Sequence, residues 1–288
     1  MSQPGRMDTA EHLLTTRFRK TIWGPFLAAV SRYRMAQPGD RIAACLSGGK
    51  DSLLMAKCLQ TLQKYSEVPF GVTYLSMDPG YDGQRLAQAR AAWDALGLAP
   101  EVFQTDIYSV VDTVKHSPCH VCAAMRRGHL YKQAQERGCN KISLGHHRDD
   151  AAETILLSIL YGGQFRAMPP RLKSDNYEGM QLIRPLYFVR EKAVKAWLDA
   201  CGVTAITCAC RVTQSERGGK RAEIKALIAG LERAHPDVVD NIVASSRRVD
   251  LGTLLSYVGP DGQERSAMDA LLAPREGDGA REQVDRMF

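Results

Sequence analysis

The sequence contains no run of about 18 apolar residues, so no membrane-spanning helix is expected. Its opening, Met1-Ser2-Gln3-Pro4-Gly5-Arg6, lacks the apolar centre of a secretory leader. The expectation from both is a cytoplasmic protein. Internal repeats and low-complexity segments are also missing, which argues against a solenoid or a largely unstructured chain. So is the Walker A pattern, with its four residues between the first glycine and Gly-Lys-Ser/Thr. What remains is a chain of 288 residues, 44% hydrophobic and 24% charged, the composition of a soluble globular protein of one large or two small domains. A net charge of +6 permits a polyanionic partner without proving one.

One stretch organises the rest: Cys45-Leu46-Ser47-Gly48-Gly49-Lys50-Asp51-Ser52. It follows the apolar Ile42-Ala43-Ala44 and precedes a helical pattern of Leu53, Leu54, Ala56, Leu59 and Leu62. A strand, a glycine turn and a helix N-terminus in succession make an anion site. Gly48 and Gly49 free the backbone to expose its N–H groups, and the helix dipole adds roughly half a positive charge. Ser47 and Ser52 offer hydroxyl donors, Lys50 a mobile cation, and Asp51 a carboxylate able to hold Mg²⁺ against a polyphosphate.

Before this stretch, residues 9–35 carry a helical pattern that Pro25 kinks or divides, with Arg17, Arg19, Lys20, Arg32 and Arg34 on its polar side. After it, α and β patterns alternate. Strands are expected at 70–75 (running to Ser76-Met77-Asp78), 101–104, 141–144 and 203–206. Helices are expected at 83–97, 108–114, 123–138, 151–161 and 190–200, then over most of the chain to about 256. Residues 162–180 read as a long loop. This alternation predicts an α/β fold: a doubly wound, mostly parallel sheet with helices on both faces and helical additions at both ends. The boundaries are 1–36 for the N-terminal helical segment, 37–210 for the nucleotide domain with an inserted Cys-x-x-Cys, 211–256 for the C-terminal helical region, and 257–288 for a flexible tail.

Gly145-His146-His147-Arg148-Asp149-Asp150 follows the strand at 141 and meets the same sheet edge as the glycine turn. One of the two aspartates can cap the next helix, worth ~1 kcal/mol. That leaves the other charged groups unexplained. Eight cysteines occur, of which Cys45, Cys58, Cys139 and Cys201 read as core or incidental. The other four form two pairs, Cys119-His120-Val121-Cys122 and Cys208-Ala209-Cys210. Zinc, an iron–sulfur centre, a redox disulfide and chance all remain open for such pairs. A redox site would open a helix, whereas the first pair follows Pro118 in an insertion between units. Four cysteines could hold zinc if Ala209 turned; three could hold an iron cluster with one iron open.

SGGKDS at 47–52 resembles the PP-loop of N-type ATP pyrophosphatases, which cut ATP into AMP and pyrophosphate. Together with CxxC at 119–122, RRG at 126–128, GHHRDD at 145–150, YGG at 161–163, MPP at 168–170, RPL at 184–186 and RE at 190–191, it is similar over residues 10–255 to the tRNA 2-thiocytidine synthetases. The resemblance implies ATP, Mg²⁺ and a [4Fe–4S] cluster as cofactors, the cluster held by two cysteines of the central pair and one later. Cys119, Cys122 and Cys210 are the implied ligands, with Cys208 extra and Thr213 where the second cysteine of the later pair would fall. The implied nucleotide contacts are Ser47, Gly48, Gly49, Lys50, Asp51, Ser52, Asp78 and Gly145, with Lys50, Asp51, His146 and Asp149 catalytic and His147 beside them.

The implied reaction is adenylation of the C2 oxygen of cytidine 32 in a tRNA anticodon loop, followed by sulfide attack. The implied partners are that tRNA, a cysteine desulfurase or other sulfide donor, and a second copy of the chain, with no membrane. Arg17, Arg19, Lys20, Arg126, Arg127 and Arg166 are the candidate phosphate contacts. A 2-thiouridine synthetase, a lysidine synthetase and a non-catalytic metal-binding regulator are the competing readings. Lysidine synthetases need no cluster, and cluster-using 2-thiouridine synthetases carry further zinc-finger pairs absent here.

Overall fold

The computed structural model describes residues 9–80, 83–105, 107, 118–206 and 219–268, with backbone alone for 118–123. The expected helix at 108–114 and Cys208 and Cys210 lie outside these residues. The described residues divide into two units, one ending at Val243 and one beginning at Ala244.

The first unit is built on six strands: β1 Arg41–Leu46, β2 Gly71–Asp78, β3 Glu101–Gln104, β4 Lys141–Ser143, β5 Arg171–Lys173 and β6 Gln181–Ile183. Their order is β3-β2-β1-β4-β6-β5, parallel throughout except for the β5–β6 hairpin at one edge. The chain winds outward from β1 to β2 and β3, then returns to the other side of β1 to place β4. The reversal falls between β1 and β4, where the loops leaving the two strands part and open a crevice. The glycine loop leaves β1 and the Gly145–Asp150 segment leaves β4, so topology alone brings them together.

Helices cover both faces. α1 Thr9–Thr15, a π-helical turn Arg19–Trp23 and α2 Gly24–Arg32 precede the sheet. The break expected near Pro25 falls just before it: Pro25 sits in the first turn of α2, where its missing N–H leaves no bond unmade. α3 Lys50–Tyr65 lies between these helices and the sheet, so Leu53, Leu54, Met55, Ala56, Cys58 and Leu59 are all buried. α4 Gly83–Ala95 and α5 Pro118–Glu136 follow, then α6 Arg148–Gly162 and α7 Glu191–Cys201, whose Trp197 is buried and donates Nε1–H to the Ala10 carbonyl at 3.3 Å. α8 Lys220–Ala234 and α9 Val238–Ser245 follow. A second core, with Ala43, Cys45, Leu75, Tyr131 and Ile142, fills the α5 face.

Four expectations change. α5 begins at 118, so the backbone of Cys119 and Cys122 opens a helix instead of preceding one. The loop at 162–180 contains β5, and Tyr177 fastens the β5–β6 hairpin to α5 by stacking on Tyr131 at 4.9 Å and donating to the Gly128 carbonyl. Residues 203–206 pair with no strand; they run past the glycine loop, where the Ile206 N–H donates to the Gly48 carbonyl at 3.1 Å. In the second unit, part of the expected tail is an antiparallel hairpin of β7 Ser256–Val258 and β8 Glu264–Ser266. No helix among the described residues is long and apolar enough to cross a membrane.

At the amino ends of the strands, Lys141 is buried and pairs with buried Asp40, which also accepts from Asn140 Nδ2 at 2.8 Å and from the Gln37 N–H at 2.7 Å. Removing one member of a buried pair leaves the other charge uncompensated. Asp40→Ala should therefore lower unfolding stability by about 3–5 kcal/mol in urea titrations. A loss near zero would show that Lys141 reaches water once its partner is gone.

Candidate active site

The glycine loop is shaped by one obligatory glycine and one permissive one. Gly48 has φ +76°, and a Cβ there would fall 2.7 Å from Ile206 Cδ1, so conformation and space both demand glycine. Gly49 has an ordinary extended backbone and caps α3 with no side chain, leaving the first-turn N–H groups of α3 open to an anion. Ser52 is buried and braces the turn: its hydroxyl donates to the Gly49 carbonyl at 2.8 Å and accepts from the Ser47 N–H at 3.1 Å. That hydroxyl proton is committed within the protein.

Gly145 serves contact between elements. A Cβ there would lie 2.7 Å from the Asp51 carbonyl carbon and 2.8 Å from the Ser52 nitrogen. The exit of β4 therefore touches the first turn of α3 backbone to backbone. Beyond it, buried His147 caps α6: its Nδ1 accepts from the Asp150 N–H at 3.3 Å, and Asp150 Oδ2 accepts from the His147 N–H at 2.9 Å. The cap is the histidine, with Asp150 as its reciprocal partner. His147 Nε2 stands 3.5 Å from Asp51 Oδ1, tying the two segments together.

The adjacent aspartates diverge. Asp149, expected at the reaction centre, accepts from the Glu191 N–H at 2.6 Å and from Arg190 Nε at 3.1 Å, so it caps α7. Asp150 instead lines a cavity of about 410 Å³ with Ser47, Gly49, Asp51, Gly145, His146, Arg126, Arg127 and Arg184. Arg221 holds Asp150 Oδ1 at 3.1 Å. Burial opposes its ionisation, but His147 and Arg221 keep the carboxyl below its usual range.

Three buried polar atoms on the cavity wall have no hydrogen-bond partner among the described residues: Asp51 Oδ1, His146 Nδ1 and Arg184 Nε. Burial lowers Arg184 to about 10, and burial with the nearby Arg184 charge lowers His146 to about 4. His146 is thus neutral near pH 7. An arc of guanidinium groups facing two carboxylates and a row of helix amides is a donor set for a polyphosphate carrying a divalent cation.

The residues at 26–207 match the PP-loop domain model. The tRNA-cytidine(32) 2-sulfurtransferase of Shewanella pealeana is 34% identical over 270 residues, covering 91% of this chain and 82% of that protein. That of Vibrio cholerae is 36% identical over 254 residues, covering 86% and 80%. This chain belongs to the tRNA-cytidine(32) 2-sulfurtransferase family of PP-loop proteins. In fold it also resembles the U34-tRNA thiolase NcsA of Methanococcus maripaludis, solved with its [4Fe-4S] cluster, at TM-score 0.62 and 20% identity over 78% of this chain and 77% of that one.

Within this PP-loop site the expected residues separate. Ser47, Gly49, Asp51, Ser52, Gly145 and His146 line the cavity, while Gly48 shapes the loop behind it. Lys50 does not line it: its Nζ lies 2.8 Å from Asp51 Oδ2 and 3.1 Å from Glu191 Oε1. Asp78 is buried at the end of β2 and accepts from the Gly80 N–H at 3.0 Å, closing a turn. Arg126 and Arg127 border the cavity, whereas Arg17, Arg19, Lys20 and Arg166 are exposed elsewhere on the first unit. Arg184 and Asp150 line the cavity and Glu191 pairs with Lys50, although Arg184 and Glu191 are not among the expected site residues and Asp150 is expected only as a candidate helix cap. In the sequence Arg184 and Glu191 belong to the RPL and RE elements of the resemblance, which carry no role for either residue.

Gly145→Ala should destabilise the protein by about 1–3 kcal/mol, because the methyl meets backbone on α3. Gly49→Ala should be close to neutral for folding, and equal urea midpoints for both variants would refute this contact. His146 gives a pH test. Its folded value is depressed, so the unfolded chain binds more protons between about pH 4 and 6.5, and stability from this group rises with pH across that window. His146→Gln should flatten that part of the stability profile, and an unchanged slope would mean the imidazole is solvated.

Proposed function

We propose that this chain replaces the C2 oxygen of cytidine 32 in a tRNA anticodon loop with sulfur, using ATP. The observation that carries the reading is the single cavity where the PP-loop, Asp150, His146 and the arginines of α5 converge. The nucleotide's phosphates would lie against the Gly49 side of α3, with Asp51 and Asp150 on the divalent cation that accompanies them. The C2 oxygen attacks the α-phosphorus; pyrophosphate leaves with the electron pair of the broken P–O bond. Arg184 and the α3 amides stabilise the charge that develops there. Sulfide then adds to C2 and AMP departs with the oxygen. His146, neutral at physiological pH, can accept a proton at Nδ1 or hold the base by a hydrogen bond.

A [4Fe–4S] cluster fits the donor set available. Cys122 precedes Arg126, on the cavity wall, by one turn of α5, about 6 Å of rise. Cys119 and Cys122, with Cys210, would hold it. When bound, such a cluster supplies an iron with an open position for sulfide. The tRNA must bring its target base out of the stack, and Arg127 and Arg166 are exposed for phosphate contacts. A cysteine desulfurase or other sulfide donor, Mg²⁺, a homodimeric state and a cytoplasmic setting belong to the same proposal.

The test is mass spectrometry of tRNA nucleosides from cells with the parent gene, without it, and with Asp51→Ala. We expect 2-thiocytidine only with the parent, because Asp51 borders the cavity with an oxygen that makes no hydrogen bond within the protein. Thiolated uridine in place of thiolated cytidine would favour the 2-thiouridine reading. Normal 2-thiocytidine with Asp51→Ala would remove that carboxylate from the chemistry.

A further inference from the structure

The PP-loop lysine does not line the phosphate cavity. Lys50 lines a second cavity with Lys195, Leu198 and Asp199, on the α7 side of the loop. Glu191, the first residue of α7, accepts Lys50 at Oε1 and holds Lys225 at 2.8 Å and Lys195 at 3.3 Å on Oε2. Its backbone is anchored independently, through the N–H bond to Asp149. Burial opposes ionisation of Glu191, yet Lys225 and Lys50 lower it to about 2.

We propose that Glu191 is a positioning residue that parks Lys50 outside the phosphate cavity, and that an incoming polyphosphate draws Lys50 away from it. Resting on the reading of that cavity as the nucleotide site, the proposal follows from the charge count at one carboxylate. Releasing a lysine from a lone buried partner would strand a charge. Here Lys195 and Lys225 remain on Oε2 after Lys50 leaves Oε1, so Glu191 stays compensated. Asp51 borders both cavities, so Lys50 can keep that partner while its ammonium swings. The unliganded loop is thereby spared an unpaired cation beside Arg126 and Arg184, and the polyphosphate gains one on arrival.

The test is calorimetric affinity for magnesium pyrophosphate. Glu191→Gln should tighten binding by about tenfold, since Lys50 no longer leaves a charged partner. Lys225→Met should weaken it by about threefold, because Glu191 then depends more on Lys50. A structural defect would shift both variants the same way. A long-range charge effect would give opposite signs as well, but would persist without Lys50. In a Lys50→Met background both changes should vanish. Unchanged or weaker binding by a folded Glu191→Gln, or changes that survive in Lys50→Met, would overturn the latch while leaving the nucleotide site standing. No saturable binding by the parent would instead overturn the site itself, and the latch with it.

Discussion

The contact on which the site depends is the one between Gly145 and the first turn of α3. Two adjacent parallel strands end within two residues of each other, β4 at Ser143 opposite Ala44 and β1 at Leu46, and the loops leaving them must separate or collide. Here they nearly collide. A missing side chain lets β4's exit lie against the Asp51 and Ser52 backbone, and that closeness sets His147 within 3.5 Å of Asp51 and Asp150 on the cavity wall. Separating the two segments by the width of one methyl group would move His147 off Asp51 and change the shape of the cavity.

Charge is organised around this contact in a way that keeps buried groups compensated while leaving a ligand surface. Asp149 is given to Arg190 and the α7 N-terminus, Glu191 to three lysines, and Asp150 to Arg221 and the His147 N–H. Among the buried side-chain atoms without a hydrogen bond, Asp51 Oδ1, His146 Nδ1 and Arg184 Nε belong to residues on one cavity, while others such as Tyr74 Oη and Trp93 Nε1 lie away from it. Buried polar atoms without partners are rare in folded proteins, and three around a single cavity leave that wall with hydrogen-bonding capacity a ligand could satisfy. The same logic explains why Ser52 and Asp78 play architectural parts. Each satisfies a nearby backbone group, and a turn so braced holds its shape before any ligand arrives.

Much of this was legible in the sequence because the signals are local. A glycine pair between an apolar run and a helical pattern specifies its turn within six residues, and alternating α and β patterns determine a parallel sheet with little else needed. The assignments that shifted depend on angle or on tertiary contact. Asp149 and Asp150 are neighbours in sequence but about 100° apart around α6, so composition cannot say which meets the cavity. Residues 203–206 have strand composition, yet Ile206 satisfies its N–H on the Gly48 carbonyl and packs over that glycine. Arg184 and Glu191 carry no motif chemistry of their own; each gains its role from what the fold sets opposite it.

The position of the cysteine pair sharpens the relation between the two halves of the proposed chemistry. A pair in a loose insertion could approach the nucleotide only through loop motion. A pair whose backbone opens α5 is carried by the same helix that brings Arg126 and Arg127 to the cavity. That element is itself fixed at its middle, where Tyr131 stacks on Tyr177 and the Gly128 carbonyl accepts from the Tyr177 hydroxyl. Whatever the pair holds is therefore referenced to the β5–β6 hairpin and the sheet. A sulfur donor and an activated base must meet within bonding distance, and helices position reacting groups more closely than loops do. A cysteine pair whose backbone opens α5 would, in the proposed chemistry, meet that requirement from a helix and not from a loop.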